Sequence, residues 1–242
     1  MVTHRRCEST NGRHAAGRVG YNEERPAGIG EGERVGEQAV RDVTVTGSPL
    51  AMGDHMIVVY RSEQQRWGIL TPFLAAGLRL GQRTAVICPD TSIEAVRDSL
   101  AEDGIDVAAT LESRQLQFMG PMELPVRAGA FEDETMTRYI RAQAEAAQME
   151  GFNGLRVASE TPWFVNQADM GKLLRFEARL TGELHQLPAI MMCLYDMRQL
   201  TPGIVTDLLG THPLVVIGDH VVENELYVAQ GGAADEYLPR LH

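Results

Sequence analysis

Two histidines and one cysteine in apolar surroundings are the first candidates for chemistry in this sequence. His55 opens an apolar run, His212 stands between Thr211 and Pro213, and Cys193 lies within the run MMCLYD. Imidazole and thiol groups bind transition metals, and a thiol beside a base can act as a nucleophile. The spacing of these residues matches no established ligand pattern, so we predict no metal, no cofactor and no catalytic residue. We interpret the histidines as strand-end residues or pocket anchors, and Cys193 as a buried small hydrophobic residue.

The segment 61–66, between the first predicted strand and the first predicted helix, is where a nucleotide-binding α/β protein would hold phosphate. Such a loop needs glycines, a lysine for the phosphates and a Ser or Thr for magnesium. The segment has no glycine, and the only lysine of the chain is Lys172. Arg66 stands near the lysine position and Trp67 replaces the magnesium-binding hydroxyl. ATP hydrolysis through this loop is therefore not expected, although Arg66 could still pair with an anion.

Polar and aromatic side chains follow two other predicted strands at their carboxyl ends. Glu160 and Trp163 come after one strand, and Tyr195 and Asp196 end another. Ligands of parallel α/β sheets bind at this edge, so we predict one small-ligand pocket there. Aromatic rings would supply its apolar area, and Glu160 or a histidine would hold one polar atom of the ligand. The predicted ligand-binding residues are His55, Tyr60, Arg66, Trp67, Glu160, Trp163, Tyr195, Asp196 and His212.

Strands and helices that alternate along the chain must position these residues. The stretch from His55 to Asp90 predicts a strand, an amphipathic helix and a second strand, which together form a βαβ unit. Further strands are predicted at 116–119, 155–159 and 189–195, with helices between them, and a hairpin at 214–223. We therefore predict an α/β fold with a doubly wound, mostly parallel sheet of about six or seven strands. Helices would cover both faces, and the hairpin would close the C-terminal end.

Composition limits the class of protein. A chain of 242 residues is long enough for one domain with a substantial core. Its formal net charge of −11 argues against direct nucleic-acid binding, which requires a basic surface. No apolar run reaches the roughly 18 residues that span a bilayer, so we expect no membrane partner. The three cysteines lie far apart with no CxxC motif, which favours a cytoplasmic protein with free thiols.

Several short motifs, taken in their order and spacing, resemble the MEDS domain. They are HMIVVY at 55–60, TPFLAAGLRLGQRTAVICPD at 71–90, GIDV at 104–107, GFNGLRV at 151–157, FEARL at 176–180, CLYD at 193–196, THP at 211–213 and EN at 223–224. MEDS is the methanogen/methylotroph sensory domain, named for the dichloromethane-responsive regulator DcmR. The resemblance covers about residues 54 to 227, and it implies a RecA/KaiC-like core that lacks the phosphate loop.

The same resemblance implies a non-enzymatic sensory or regulatory domain. Such a domain would bind a small, hydrocarbon-derived ligand and signal to a transcription-regulatory partner. The sequence has no recognisable helix-turn-helix or histidine-kinase segment, so the output would pass through a regulatory protein partner or through self-association. The alternative is a degenerate RecA-like nucleotide-binding protein or enzyme, in which Lys172 would have to restore phosphate binding.

Residues 1–52 differ from the rest of the chain because they are rich in Gly, Arg and Glu and show no sustained periodicity. We interpret them as a disordered tail, residues 53–228 as the MEDS-like domain and residues 229–242 as a C-terminal tail.

Deleting residues 1–48 is expected to change the melting temperature by no more than about two degrees, because this composition cannot offset the entropy of ordering the segment. Differential scanning calorimetry of the two chains measures the shift. A larger drop would mean that the segment packs on the domain.

Overall fold

The computed structural model describes residues 43–44, 50–89, 92–120, 124, 132–160 and 170–228. The strands are β1 (Val43–Thr44), β2 (His55–Tyr60), β3 (Arg83–Ile87), β4 (Leu116–Met119), β5 (Leu155–Glu160), β6 (Ala189–Asp196), β7 (Leu214–Ile217) and β8 (His220–Glu223). The α-helices are α1 (Glu63–Arg79), α2 (Ile93–Glu102), α3 (Val107–Glu112), α4 (Asp133–Met149), α5 (Met170–Leu184) and α6 (Pro202–Leu209). A short 3-10 turn, Met197–Gln199, follows β6.

All described strands belong to one sheet in the order β1-β8-β7-β2-β6-β5-β3-β4. The strands from β4 to β7 in this order pair in parallel, and β7 and β8 form the antiparallel hairpin. The predicted α/β class and mostly parallel sheet are confirmed. The sheet has eight strands rather than six or seven, because Val43–Thr44 pairs antiparallel with β8.

Helix α3 was not predicted from the sequence. It spans only Val107–Glu112, which is too short for a sustained apolar periodicity, and it buries none of its residues fully. Its start is defined by Asp106, whose Oδ1 accepts a hydrogen bond of 3.0 Å from the backbone N–H of Ala109.

Side chains of the central strands alternate between two covered faces of the sheet. Along β2, Met56, Val58 and Tyr60 pack with helices α1 and α2, on what we term the α1 face. Ile57 belongs to the opposite core, which α4, α5 and α6 cover and which we term the α5 face. Both faces are apolar, as expected for a doubly wound sheet.

At Gly77, helix α1 passes directly over the buried side chain of Arg156. A methyl group at Gly77 would lie 2.5 Å from Cδ of Arg156 and 2.8 Å from Oγ1 of Thr84. Arg156 donates from Nε to Gln82 Oε1 at 2.7 Å, and its guanidinium carbon lies 4.6 Å from the ring centre of Phe73. Burial lowers the pKa of Arg156 to about 10. Glycine is therefore required here by the close approach of the helix to this side chain.

None of the described helices is long and apolar enough to cross a membrane. Residues 1–42, 45–49 and 229–242 lie outside the described residues, so the assignment of the two tails stays a prediction. Because Val43–Thr44 pairs with β8, a deletion that ends at residue 41 is the matched control for the deletion of residues 1–48.

Gly77→Ala is expected to lower the free energy of unfolding by about 1–3 kcal/mol, because the added methyl group overlaps Arg156 and Thr84. Gly68→Ala in the same helix is the control, since nothing lies within 4 Å of the added methyl group. That control is expected to raise the free energy of unfolding by about 0.5–1 kcal/mol. Urea denaturation measures both changes, and equal stability of the two variants would contradict the close approach at Gly77.

Candidate functional site

The carboxyl edge of the sheet brings three of the predicted residues to neighbouring strand ends. Tyr60 of β2 is in register with Asp196 of β6, and Glu160 of β5 is in register with Leu194. Tyr60, Glu160 and Asp196 are all buried. Burial raises the pKa of Tyr60 to about 12, with Arg66 opposing that shift and Glu160 adding to it.

The connection from β2 to α1 consists of only Arg61 and Ser62. Ser62 begins the helix: its Oγ accepts a hydrogen bond of 3.2 Å from the backbone N–H of Gln65. Gln65 returns the interaction, because its Oε1 accepts a 2.8 Å hydrogen bond from the backbone N–H of Arg61. This reciprocal capping satisfies two backbone donors that a phosphate loop would direct at its ligand.

Arg66 and Glu160 form a buried ion pair between α1 and the end of β5. Nη2 of Arg66 donates to Oε1 and Oε2 of Glu160 at 2.6 and 2.7 Å, and its Nη1 donates to Glu63 at 2.7 Å. Only 8% of the Arg66 side chain and 3% of the Glu160 side chain are exposed. Burial raises the pKa of Glu160, and the guanidinium of Arg66 opposes that rise. Because both carboxylate oxygens accept from this guanidinium, the charged form of the pair is stabilised.

The pair continues into a chain of alternating charges at the same edge. Arg198 donates to Asp196 at 2.6 Å and lies 3.5 Å from Glu63, which also accepts from Arg66. The hydrogen bonds from Arg198 hold the pKa of Asp196 below its ordinary value. We refer to Glu63, Arg66, Glu160, Asp196 and Arg198 as the edge network. Both of its guanidinium groups are paired with carboxylates.

Trp67 lies beside this network rather than within it. The guanidinium carbon of Arg66 is 4.2 Å from the centre of the Trp67 ring, which is a cation–π contact. The indole also lines an open groove of about 580 Å³ between α1 and α2, together with Thr71 and Asp98. Trp163 lies outside the described residues, so its predicted place in the pocket stays a prediction.

The prediction that His55, Tyr195 and His212 share one pocket with the residues of the carboxyl edge is wrong. The structure places all three on the α5 face, with their rings buried between the sheet and α5. His55 is the first residue of β2, and His212 immediately precedes Pro213 and β7, so both lie towards the amino edge. Tyr195 is adjacent to Asp196 in sequence, but strand alternation directs its side chain to the opposite face from Glu160.

These three residues surround Glu177 of α5, which was not predicted from the sequence. Its Oε2 lies 3.4 Å from Nε2 of His55, 3.5 Å from Nε2 of His212 and 3.6 Å from Sγ of Cys193. Its Oε1 accepts a 2.5 Å hydrogen bond from the hydroxyl of Tyr195. We term His55, Glu177, Cys193 and His212 the buried cluster. All four belong to side-chain types that bind metal ions.

Burial dominates the electrostatics of the buried cluster. It lowers the pKa values of His55 and His212 to about 3, so both imidazoles are neutral. It raises the pKa of the Glu177 carboxyl group, and it raises the pKa of the Cys193 thiol, to which Glu177 contributes further. Every charged form in this cluster is therefore disfavoured unless an opposite charge compensates it.

A sequence signal for Glu177 does exist. The apolar stripe of α5 contains Leu173, Phe176, Leu180 and Leu184, and Glu177 falls on that stripe at helical spacing. A carboxylate on the apolar face of an amphipathic helix indicates a buried polar site.

Comparison with known proteins identifies the family. The family model described as MEDS, MEthanogen/methylotroph, DcmR Sensory domain, matches residues 54–213. The chain belongs to the MEDS family. No curated protein is significantly similar to the chain in sequence.

Two solved structures are similar to this MEDS domain. A KaiC-like protein from the hyperthermophilic archaeon Pyrococcus horikoshii OT3 is similar at 14% identity and a TM-score of 0.51, over 73% of this chain and 79% of that one. The flagellar accessory protein FlaH from Methanocaldococcus jannaschii is similar at 12% identity and a TM-score of 0.47, over 76% of this chain and 84% of that one. The first likeness confirms the predicted RecA/KaiC-like fold of the MEDS domain.

In this MEDS domain, Glu160→Gln is expected to lower the free energy of unfolding by about 3–5 kcal/mol, because it removes the buried charge partner of Arg66. The double variant Arg66→Met with Glu160→Gln is expected to cost less than the sum of the single variants, by at least about 1 kcal/mol. Glu94→Gln is the control, since Glu94 forms an exposed pair with Arg97 at 3.5 Å. Its effect should stay within about 0.5 kcal/mol. Denaturant unfolding provides the values, and a Glu160→Gln effect as small as that of the control would contradict the buried pair.

Proposed function

We propose that this protein is a non-enzymatic sensory domain that binds a small, neutral, hydrocarbon-derived molecule at the carboxyl edge of its sheet. The observation that carries this proposal is the Arg66–Glu160 pair, which stands where a nucleotide-binding protein of this fold would hold phosphate. Membership of a sensory-domain family supports the same function.

An anionic ligand is disfavoured at this edge. The start of α1 caps itself through Ser62 and Gln65, and the guanidinium of Arg66 already bonds to Glu63 and Glu160. A phosphate would have to displace the buried carboxylate of Glu160, whose charge would then remain in the core without its partner. A neutral molecule meets no such cost.

Apolar surface beside the edge network supports a ligand with a hydrocarbon part. Trp67 contacts the guanidinium of Arg66 and lines the groove between α1 and α2, so it offers a planar ring at low cost in side-chain entropy. A ligand with one polar atom, such as a short alcohol or a halogenated methane, would place that atom against the network and its apolar part against the indole.

The proposed sensor passes its signal on by binding another protein chain. A net charge of −11 opposes direct binding to DNA, so the signal would reach a transcription-regulatory partner or a second copy of the chain. The alternative, a degenerate nucleotide-binding protein, is favoured only by the fold that the chain shares with KaiC-like proteins.

Tryptophan fluorescence tests the proposal. In the variant Trp163→Phe, Trp67 is the only tryptophan, since the chain has two. Dichloromethane, short-chain alcohols and acetate are titrated in sealed cuvettes, and ATP is titrated separately by calorimetry. We expect saturable quenching of Trp67 emission by at least one neutral compound, and no ATP binding at micromolar concentrations.

Two further variants locate the site. Glu160→Ala is expected to weaken binding of that neutral compound by about 1–3 kcal/mol if the carboxylate accepts from its polar atom. Glu94→Ala, an exposed carboxylate on α2, is the matched control and should leave the affinity unchanged. Micromolar ATP affinity that is lost in Arg66→Ala would refute the sensor and support the nucleotide-binding alternative.

A further inference from the structure

The ligand atoms of the buried cluster converge on one point inside the core. One atom each from His55, Glu177, Cys193 and His212 lies within 4.8 Å of the other three, and all four residues are buried. We propose that this cluster is a four-coordinate, structural zinc site. The proposal is independent of the ligand site at the carboxyl edge, because the two sites lie on opposite faces of the sheet.

The hydrogen bonds around the two histidines point their free nitrogen lone pairs into the cluster. Nδ1 of His212 lies 2.8 Å from the carbonyl oxygen of Leu208, an acceptor, so Nδ1 carries the proton. Thr181 donates its hydroxyl proton to the carbonyl of Thr211 at 2.8 Å, and it therefore accepts from Nδ1 of His55 at 2.7 Å. Both neutral imidazoles thus present an unprotonated Nε2 to Glu177.

This arrangement leaves the centre of the cluster rich in acceptors. Nε2 of His212 is completely buried and has no hydrogen-bond partner among the described residues. Nε2 of His55 and Oε2 of Glu177 are also acceptors. The thiol of Cys193 has one proton, so it can donate one weak hydrogen bond to only one of these three acceptors. A buried lone pair that faces a carboxylate oxygen needs a proton or a cation between the two atoms.

The distances favour a cation. The two nitrogen–oxygen distances at the centre are 3.4 and 3.5 Å, which is longer than an ordinary hydrogen bond. The two distances to sulfur are 3.5 Å from His55 and 3.6 Å from Glu177. A tetrahedral zinc ion with bonds of about 2.0 Å to nitrogen and oxygen and about 2.3 Å to sulfur has ligand–ligand edges of roughly 3.3–3.6 Å. These four of the six distances match such edges, and all six lie within 4.8 Å.

The net charge of the site and the hydrogen bonds to its ligands are also consistent with Zn²⁺. Zn²⁺ with the thiolate of Cys193, the carboxylate of Glu177 and two neutral imidazoles makes a site with no net charge, which suits a fully buried position. Each ligating imidazole donates its other nitrogen proton to a protein oxygen, and Tyr195 donates to the second oxygen of Glu177. Such outer contacts orient metal ligands and raise their basicity. Four protein ligands leave no open position, so the site is structural rather than catalytic.

Metal analysis of the whole chain tests the proposal. The protein is expressed in defined medium with added Zn²⁺, so that the site fills during folding, and is then dialysed against EDTA. Mass spectrometry of the metal content is expected to find about one zinc per chain. X-ray absorption of the same sample is expected to show one sulfur neighbour at about 2.3 Å and nitrogen or oxygen neighbours at about 2.0 Å.

Variants assign the ligands. Cys193→Ser and His212→Gln are expected to lose at least about nine-tenths of the zinc. Cys88→Ser is the matched control, because Cys88 is also a buried cysteine but lies on the α1 face. In protein grown with Co²⁺ in place of Zn²⁺, the near-ultraviolet thiolate-to-cobalt absorption should vanish in Cys193→Ser and persist in Cys88→Ser.

Two results would overturn the proposal. The first is folded wild-type protein, judged by circular dichroism, that holds well under one zinc per chain after growth with zinc; a proton on Glu177 would then fill the role of the cation. The second is a bound zinc whose X-ray absorption shows no sulfur neighbour. Both are measured on the wild-type chain, so the proposal stays testable even if a variant fails to fold.

Discussion

The alternation of side chains along the central parallel strands is the constraint on which the rest of this structure depends. Because successive residues point to opposite faces, Glu160 at the end of β5 meets Arg66 of α1. On β6, Cys193 and Tyr195 meet Glu177 of α5 instead. One short stretch of β6 therefore serves the buried cluster through Cys193 and the edge network through Asp196.

Both polar groupings lie within apolar surroundings, and this determines their energetics. Desolvation opposes the charges of the buried members, so Arg66, Glu160 and Glu177 each depend on a specific partner at hydrogen-bonding distance. Arg66 and Glu160 satisfy each other through two short hydrogen bonds. The buried cluster does not satisfy itself in the same way, since Nε2 of His212 has no hydrogen-bond partner in the described part of the chain. This contrast is why the edge network leaves neither of its guanidinium groups free for an anion, whereas the buried cluster supports the proposed cation.

The β2–α1 unit of this KaiC-like fold carries side chains that do not form a phosphate loop. In a phosphate-binding version, the helix start would offer free backbone N–H groups to an anion. Here Ser62 and Gln65 cap that helix start, and Glu160 holds the nearest buried guanidinium. A KaiC-like fold is therefore compatible with the proposed sensory function, because fold and site vary independently.

The sequence by itself determined the class of fold, because hydrophobic periodicity and turn residues are local properties. The strand at 55–60, the helices between the strands and the hairpin at 214–223 are all observed as predicted. The missed elements were those with little local signal, namely the two-residue β1 and the short α3.

Only the tertiary structure decided which site residues meet. Arg66 pairs with a carboxylate 94 positions away, and His55 lies against a thiol 138 positions away. Strand order and face set these partnerships, and neither is encoded in the local pattern around a residue. The sequence could place His55, Tyr195 and His212 on strands or strand ends, but it could not show that they surround Glu177 rather than the carboxyl edge. Long-range packing makes that choice, because each buried polar group must find its partner across the sheet and helix that cover it.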